Sequence, residues 1–353
     1  MTVAGAANGT SGSSLDSLYR NFGIFWADGI LFIADSWNDR IVLIAPDSIR
    51  AVRLIGGSTQ PNMFNTPCDV FVTRTSVYVM DTWNFRVQKW SKNFFYPVTV
   101  AGITGVNGSS TDMTKLSNAH KFFVDNYDNL FVSDLSNHRV MRYSWNSTSG
   151  TNGVIVAGTG VAGPTLDRLN GPMGVFVTDD GILYIADQGN HRIQKWVIGD
   201  TKGVTVAGTG ICGRALFQLC RPTNILVDLN GYMYIADLRN HRILRWEPYA
   251  YAGECIVACS GDFGIGSSQL NTPTSIRFDA SGSLYVNDWG NNRVQKFELF
   301  KETGMLLRLN VYFLMFVLCF IGQTTTPSTS ATIRRTISTT SNLKTVDQFV
   351  LYL

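Results

Sequence analysis

Carboxylate, carboxamide and guanidinium side chains recur together six times in this chain, in the pattern Asp-x-x-Asn-x-Arg. One such set suggests a catalytic constellation, but one active site does not need six copies. A structural role fits better, because Asp accepts N–H bonds within its own turn, Asn tolerates left-handed backbone and Arg bonds nearby acceptors with its planar fork. The eighteen residues are Asp35, Asn38, Arg40, Asp81, Asn84, Arg86, Asp134, Asn137, Arg139, Asp187, Asn190, Arg192, Asp237, Asn240, Arg242, Asp288, Asn291 and Arg293.

Each set lies between two apolar runs, as in LYIADQGNHRIQKW at 183–196. The first run predicts a buried strand and the second a half-exposed strand, with a tight polar turn between them. The six aspartates are 46 to 53 residues apart. A period of that length is typical of a solenoid or a propeller.

Two further apolar segments complete each unit: a VAG-type strand such as 205–208, and a strand after a Gly-rich loop, often behind a proline. Four antiparallel strands repeated radially predict a propeller blade. The sixth unit lacks its VAG strand, whereas residues 2–5 (TVAG) precede the first unit. We therefore expect an all-β fold over 1–302, a six-bladed β-propeller of four-stranded antiparallel blades whose ring the N-terminal strand closes, leaving no open sheet edge.

The repeated lines resemble the NHL repeat family over roughly residues 1–300, with His138, His191 and His241 at the usual His position of its motif. The resemblance implies a six-bladed propeller but says little about function, because one fold hosts many. It also implies one alternative, an intracellular scaffold of ubiquitin-ligase or RNA-binding type. The three histidines are interpreted as turn packing and not as metal ligands.

The charge of the repeat region is balanced, with 25 Lys and Arg against 25 Asp and Glu over residues 1–304. Nucleic-acid binding usually needs a basic surface, so no nucleic-acid partner is expected. Cys212 and Cys220 share one Gly-rich loop and can close it as a disulfide. Cys255 and Cys259 stand at the ends of one predicted strand, and if that strand is extended they are too far apart to bond each other. Buried free thiols are the alternative.

Function is expected where the repeats differ. The turns between second and third strands emerge on the same face as the connections between blades, and that face carries the two variable residues between each Asp and Asn. Aromatic and arginine side chains there fit a protein-binding surface; packing of each Trp on a neighbouring blade is the alternative. The candidate binding residues are Trp37, Trp83, Leu135, Gln188, Arg239 and Trp289.

The starts of the inner strands ring the central channel, at or next to Asp69, His120 and Asn224. These residue types are permissible ligands for Ca²⁺ or Zn²⁺. A metal-dependent lyase or hydrolase at the channel mouth is therefore a minority alternative. No metal and no cofactor is predicted, and the sequence has no catalytic motif for hydrolysis or phosphate binding.

After residue 302 the composition changes. Residues 305–322 are apolar, but their uninterrupted core, 311–321, is short for a membrane helix of about 20 residues. Three interpretations stay open: a transmembrane anchor, an internal apolar stretch, or a signal-like segment. Residues 323–353 are Ser/Thr-rich and predicted to be disordered.

Three sequons, at Asn8, Asn107 and Asn146, fall in predicted loops and favour a glycosylated, extracellular propeller. Basic residues before 305–322 favour the opposite, cytosolic topology. The sequence thus predicts a membrane-bound or extracellular location, with cytosolic topology as the alternative. The predicted function is a monomeric, non-catalytic interaction module that binds a protein or glycan on the face bearing the Asp-x-x-Asn turns.

Overall fold

The computed structural model describes residues 1–45, 48, 51–56, 63–92 and 97–298. Its apolar and aromatic runs form twenty-four strands, numbered β1 to β24 in chain order, within these ranges. They pair into six four-stranded antiparallel sheets. The all-β, six-bladed propeller predicted from the repeats is confirmed.

Five blades are made of consecutive strands. Blade 1 contains β2 (Ile24–Ala27), β3 (Ile30–Asp35), β4 (Arg40–Ile44) and β5 (Arg53–Gly56). Blade 2 contains β6 (Pro67–Val72), β7 (Ser76–Asp81), β8 (Arg86–Ser91) and β9 (Val98–Gly102). Blade 3 contains β10 (Lys121–Val124), β11 (Leu130–Asp134), β12 (Arg139–Tyr143) and β13 (Val154–Ala157). Blade 4 contains β14 (Pro172–Val177), β15 (Ile182–Asp187), β16 (Arg192–Val197) and β17 (Val204–Ala207). Blade 5 contains β18 (Pro222–Val227), β19 (Met233–Asp237), β20 (Arg242–Trp246) and β21 (Glu254–Val257).

Blade 6 combines the two ends of the propeller. It contains β22 (Pro273–Phe278), β23 (Leu284–Asp288), β24 (Arg293–Phe297) and β1 (Thr2–Ala4). Thr2 pairs with Gln295, and Met1 exchanges two 2.8 Å backbone bonds with Lys296. The predicted closure of the ring by the N-terminal strand is confirmed.

The closing seam is packed as well as hydrogen-bonded. Ala4, Ile24, Ile33, Tyr285 and Val294 form one buried apolar cluster that joins the first blade to the last. Each large apolar side chain that leaves water contributes about 1.5–3 kcal/mol. The ring is therefore held at its junction by burial, as it is between consecutive blades.

Each second strand ends in a single 3₁₀ turn that leads into the third strand. The repeat Asp stands at the start of the turn, and the residue after the repeat Asn takes the left-handed conformation, with φ between 50° and 54°. The six left-handed residues are Asp39, Phe85, His138, His191, His241 and Asn292.

The apolar segment 305–322 and the tail 323–353 lie outside the described residues. Within the described ranges, no helix has the length and apolar character needed to cross a membrane.

Candidate functional site

The repeated Asp joins two parts of each unit that are distant in sequence. In blade 4, Asp187 Oδ1 accepts from the backbone N–H of Asn170 at 2.7 Å, on the connection that enters the blade. Asp187 Oδ2 accepts from Asn190 Nδ2 and Arg192 Nε, both at 2.8 Å. The turn and the connection therefore meet at one end of the propeller, which we call the loop face.

The repeated Arg completes the same network. Arg192 donates its remaining N–H groups to the carbonyls of Pro164, Thr165 and Arg168, at 2.7 to 3.1 Å. The Asp–Arg pair recurs in all six blades at 2.7 to 2.9 Å, and all six aspartates are fully buried. The Asp, Asn and Arg side chains of the repeat bind the connections between blades. This structural role explains why they occur in every blade without any catalytic role.

The left-handed residue of each turn contacts the next blade. His191 Nδ1 accepts from the backbone N–H of Arg221, at the entry to blade 5, at 3.1 Å. In the same way, His138 accepts from Gly171 and His241 from Thr272, each at 3.0 Å. Burial lowers the pKa of His191 and of His241, and nearby arginines lower each pKa further. A neutral imidazole is the form that accepts a hydrogen bond.

Two other residue types serve the same contact. Asp39 Oδ1 accepts from the backbone N–H of Thr66, and Asn292 Oδ1 accepts from that of Arg20, both at 2.8 Å. Blade 2 carries Phe85 at this position, and a phenyl ring cannot accept such a bond. Five of the six blade junctions in the described chain therefore share one hydrogen bond.

The channel residues each have partners of their own. Asp69 Oδ1 lies 3.1 Å from Lys121 Nζ, and both side chains are buried. Asn224 Oδ1 accepts from the backbone N–H of Ile276 at 3.3 Å. Among the described residues, no group of three or more His, Cys, Asp or Glu side chains could hold a metal ion.

His120 is not at the position equivalent to Asp69 and Asn224. Lys121 pairs across its blade with Ser133, the residue before the repeat Asp, just as Asp69 pairs with Met80 and Asn224 with Ala236. The predicted channel ring is therefore shifted by one residue in blade 3. Burial and the Lys121 charge lower the pKa of His120 to about 4, so this imidazole is neutral.

Two of the candidate tryptophans are open to solvent. Trp37 is 58% exposed and Trp83 is 61% exposed, on the turns of neighbouring blades. Tyr19 contacts Trp37 edge-on, with ring centroids 5.1 Å apart. Trp289, in blade 6 on the other side of blade 1, is half-buried beneath the Arg20 guanidinium, 4.2 Å from its ring centroid.

Three other candidates come together at the mouth of the channel. A cavity of about 300 Å³ is lined by Gln188, Arg239 and Trp289, with Phe22, Arg221 and Thr274. These residues come from blades 4, 5 and 6 and from the entry to blade 1, so the cavity lies over the channel. Leu135, on blade 3, is half-buried and does not line it.

A second cavity, of about 540 Å³, adjoins the first. His191, Arg214 and the Cys212–Cys220 loop line it, and it shares Arg221 and Arg239 with the first cavity. We call the two together the arginine groove.

Arg221 and Arg20 were not among the candidates predicted from the sequence. They occupy equivalent left-handed positions, with φ of 54° and 50°, just before their inner strands. Gly171 and Asn118 stand at the same position in other blades, as left-handed backbone favours. An arginine at such a position is a signal that alignment of the repeats could have shown.

Two disulfides lie at the ends of blade 5. Cys212 and Cys220 are bonded, with Cα atoms 4.3 Å apart. Cys255 and Cys259 are also bonded, with Cα atoms 5.6 Å apart, so the prediction that they are too distant is wrong. The strand ends at Val257, and left-handed Ala258 (φ 55°) folds Cys259 back. Cys68 is a buried free thiol.

The three sequon asparagines, Asn8, Asn107 and Asn146, are all exposed. Asn8 Oδ1 accepts from Thr10 Oγ1 at 2.8 Å within its own sequon. Asn8 and Asn107 are on connections of the loop face, whereas Asn146 is on the opposite face, between β12 and β13. The connections that enter blades 4 and 5 carry no sequon.

The fold defines the class of protein, a six-bladed β-propeller, and two of its blades match the NHL repeat. The family profile for the NHL repeat matches residues 169–196 and 270–297, which span the first three strands of blades 4 and 6. Among curated proteins, none matches this sequence.

Solved structures share the fold at low sequence identity. A structural genomics protein of unknown function from Bacteroides thetaiotaomicron superposes with a TM-score of 0.64 at 18% identity, over 84% of this chain and 74% of that one. An auxiliary nutrient binding protein from Bacteroides ovatus gives 0.60 at 16%, over 84% and 75%. A catalytically inactive virginiamycin B lyase from Staphylococcus aureus with quinupristin gives 0.51 at 14%, over 78% and 94%.

Proposed function

We propose that this propeller is a non-catalytic interaction module whose loop face binds a protein or a glycan. The exposure of Trp37 and Trp83 on neighbouring blades carries the proposal. Both tryptophans stand on the second-to-third-strand turns of one face, and large aromatics are enriched at the centres of binding interfaces. The connections around them are held by buried ion pairs, so the surface is preformed.

The polar residues of the repeats support binding over catalysis. A catalytic Asp must reach substrate, whereas Asp35 and Asp81 are fully buried and bonded to their own Asn and Arg. The description of the Bacteroides ovatus structure as a nutrient binding protein agrees with a binding role, but the likeness itself concerns the fold. The proposed role therefore rests on the surface of this chain.

We further propose that the propeller works as a monomer outside the cell or at its surface. Disulfides persist in oxidising compartments, and this propeller has two of them together with three exposed sequons. In this proposal, residues 305–322 supply a membrane anchor. Protease protection of the full-length chain in microsomes, with and without glycosidase, tests the topology; an unglycosylated, digested propeller would refute it.

The binding role is tested with arrays of glycans and of extracellular proteins, probed with the full-length chain. We expect ligands that bind the wild type and are lost with Trp37→Ala/Trp83→Ala. Trp145→Ala is the matched control, because Trp145 is 65% exposed on the opposite face. Equal binding by the double variant, or loss with the control alone, would refute the proposal.

A further inference from the structure

The arginine groove has a charge that the rest of the propeller lacks. Arg221 and Arg239 are exposed, and neither guanidinium has an ion pair or hydrogen bond within the described part of the chain. Arg214, at the outer end, faces Asp262 only loosely, at 3.9 Å between two exposed side chains. No described residue that lines either cavity is acidic. The groove therefore concentrates positive charge on a propeller whose basic and acidic residues are equal in number.

The positive charge of these arginines lowers the pKa of two neighbouring histidines. Arg221 lowers the pKa of His191, and Arg214 and Arg239 lower that of His241, in addition to the effect of burial. Unpaired guanidinium groups present planar pairs of donors that match carboxylate or sulfate oxygens. Arg221 and Arg239 each line both cavities, so together they can bind adjacent anionic groups of one ligand.

The part of the groove at the channel mouth has aromatic and uncharged polar residues in addition to arginines. At the channel mouth, Phe22 and Trp289 add aromatic surface, and Gln188 and Thr274 add hydrogen-bonding groups. Small-ligand sites combine apolar surface with a few polar groups in this way, in cavities of about 300–1,000 Å³. This mixture suits a sugar ring, which has apolar faces and a polar edge.

Peptides and nucleic acids fit the groove less well. An extended peptide is usually held by main-chain bonds to a free strand edge, but of the groove residues named here only Thr274 lies in a strand. Nucleic acids need a long basic surface with several phosphate contacts, and the groove offers three arginines. Of the connections that line the groove, those into blades 5 and 6 carry no glycosylation sequon, and the one into blade 1, which contributes Phe22, carries Asn8.

We propose that the arginine groove, at the junction of blades 4 and 5, binds an acidic saccharide, with Arg221 and Arg239 holding its carboxylate or sulfate groups. This site is separate from Trp37 and Trp83, so it does not depend on the binding role assigned to them. The Cys212–Cys220 disulfide closes the loop that forms the outer side of the groove, and Arg214 is on this loop.

Binding of the full-length chain to two probes tests the proposal: an oligomer of galacturonic acid and a heparin-derived oligosaccharide. We expect saturable binding to at least one of them, and the preferred probe identifies the group as carboxylate or sulfate. The methyl ester or the desulfated form should bind at least about tenfold more weakly, because it cannot accept charge-assisted bonds. Equal binding of charged and neutral forms, binding to neither probe, or tighter binding of poly-glutamate or single-stranded RNA overturns the proposal.

Substitutions in the groove and on the opposite face test where the saccharide binds. Arg221→Gln and Arg239→Gln should each weaken binding about tenfold, with thermal midpoints unchanged because both side chains are exposed. Lys202→Gln removes one charge from the opposite face and should bind as wild type. If Lys202→Gln weakens binding as much as the two groove variants do, the attraction is non-specific and the assignment of the site fails.

Discussion

His191 Nδ1 accepts a 3.1 Å hydrogen bond from the backbone N–H of Arg221, and so joins the turn of blade 4 to the entry of blade 5. The bond ties a framework residue to the groove, because Arg221 lines both of its cavities. It also requires a neutral imidazole. The same requirement holds at His241, whose Nδ1 accepts from Thr272.

We predict that acid weakens the propeller through these histidines. The pKa of His191 and of His241 is lowered below the usual 6.5 in the folded state, so the unfolded chain binds protons first as pH falls. Their contribution to stability is present above pH 6.5 and is lost below it. Urea unfolding at pH 7.5 and pH 5 measures the loss.

The control for this prediction comes from blade 6, where Asn292 makes the same contact without titrating. His191→Asn/His241→Asn should keep the bond and flatten the pH dependence between pH 7.5 and pH 5. An unchanged slope in this variant would show that other groups cause the acid sensitivity.

Phe85→Asn is predicted to stabilise the chain. Phe85 has a left-handed φ of 53°, which Asn tolerates better. An Asn side chain here can also accept a hydrogen bond from the backbone N–H of Asn118, which stands at the entry to blade 3 in the position that Arg221 has in blade 5. The expected gain in the free energy of unfolding is about 0.5–1.5 kcal/mol. Chemical denaturation measures it, with Phe85→Ala as the variant that removes the ring without adding an acceptor. Equal or lower stability of the Asn variant would contradict the role given to this contact.

Removal of one repeat carboxylate should be severe. Asp187→Ala leaves the buried Arg192 unpaired and frees the connection into blade 4, so we expect a loss of about 3–5 kcal/mol in the free energy of unfolding. Asp200→Ala, on an exposed turn of the same blade, is the matched control. A loss below about 1 kcal/mol for Asp187→Ala would mean that the network is not needed.

Deletion of residues 1–5 should open the ring. Blade 6 then loses β1, and the edge of β24 becomes free to pair with another chain. We expect a lower thermal midpoint and larger species on size-exclusion chromatography. A deletion variant that stays monomeric with the wild-type midpoint would show that the N-terminal strand is dispensable.

Most of the framework could be predicted from the sequence because it repeats. Asp, Asn and Arg recur at fixed spacing, so six weak strand patterns reinforce one another, and the missing strand of blade 6 points to residues 2–5. The binding surface could be predicted only in part. Gln188, Arg239 and Trp289 stand on three different turns, and their convergence on one cavity depends on the ring geometry.

Two features depend on backbone conformation that single residues do not reveal. The bond between Cys255 and Cys259 needs the left-handed Ala258, which an Ala does not signal. The predicted channel residue of blade 3, His120, is one residue away from the position equivalent to Asp69, and no proline marks the start of that inner strand as Pro67 and Pro222 do elsewhere.

Amide hydrogen exchange of the propeller, free and bound to a ligand from the arrays, tests the central claim most directly. We expect protection at the turns of Trp37 and Trp83, on the loop face, with no change in the opposite-face turn 144–153. Protection confined to the opposite-face turns would contradict the assignment of the loop face as the binding surface.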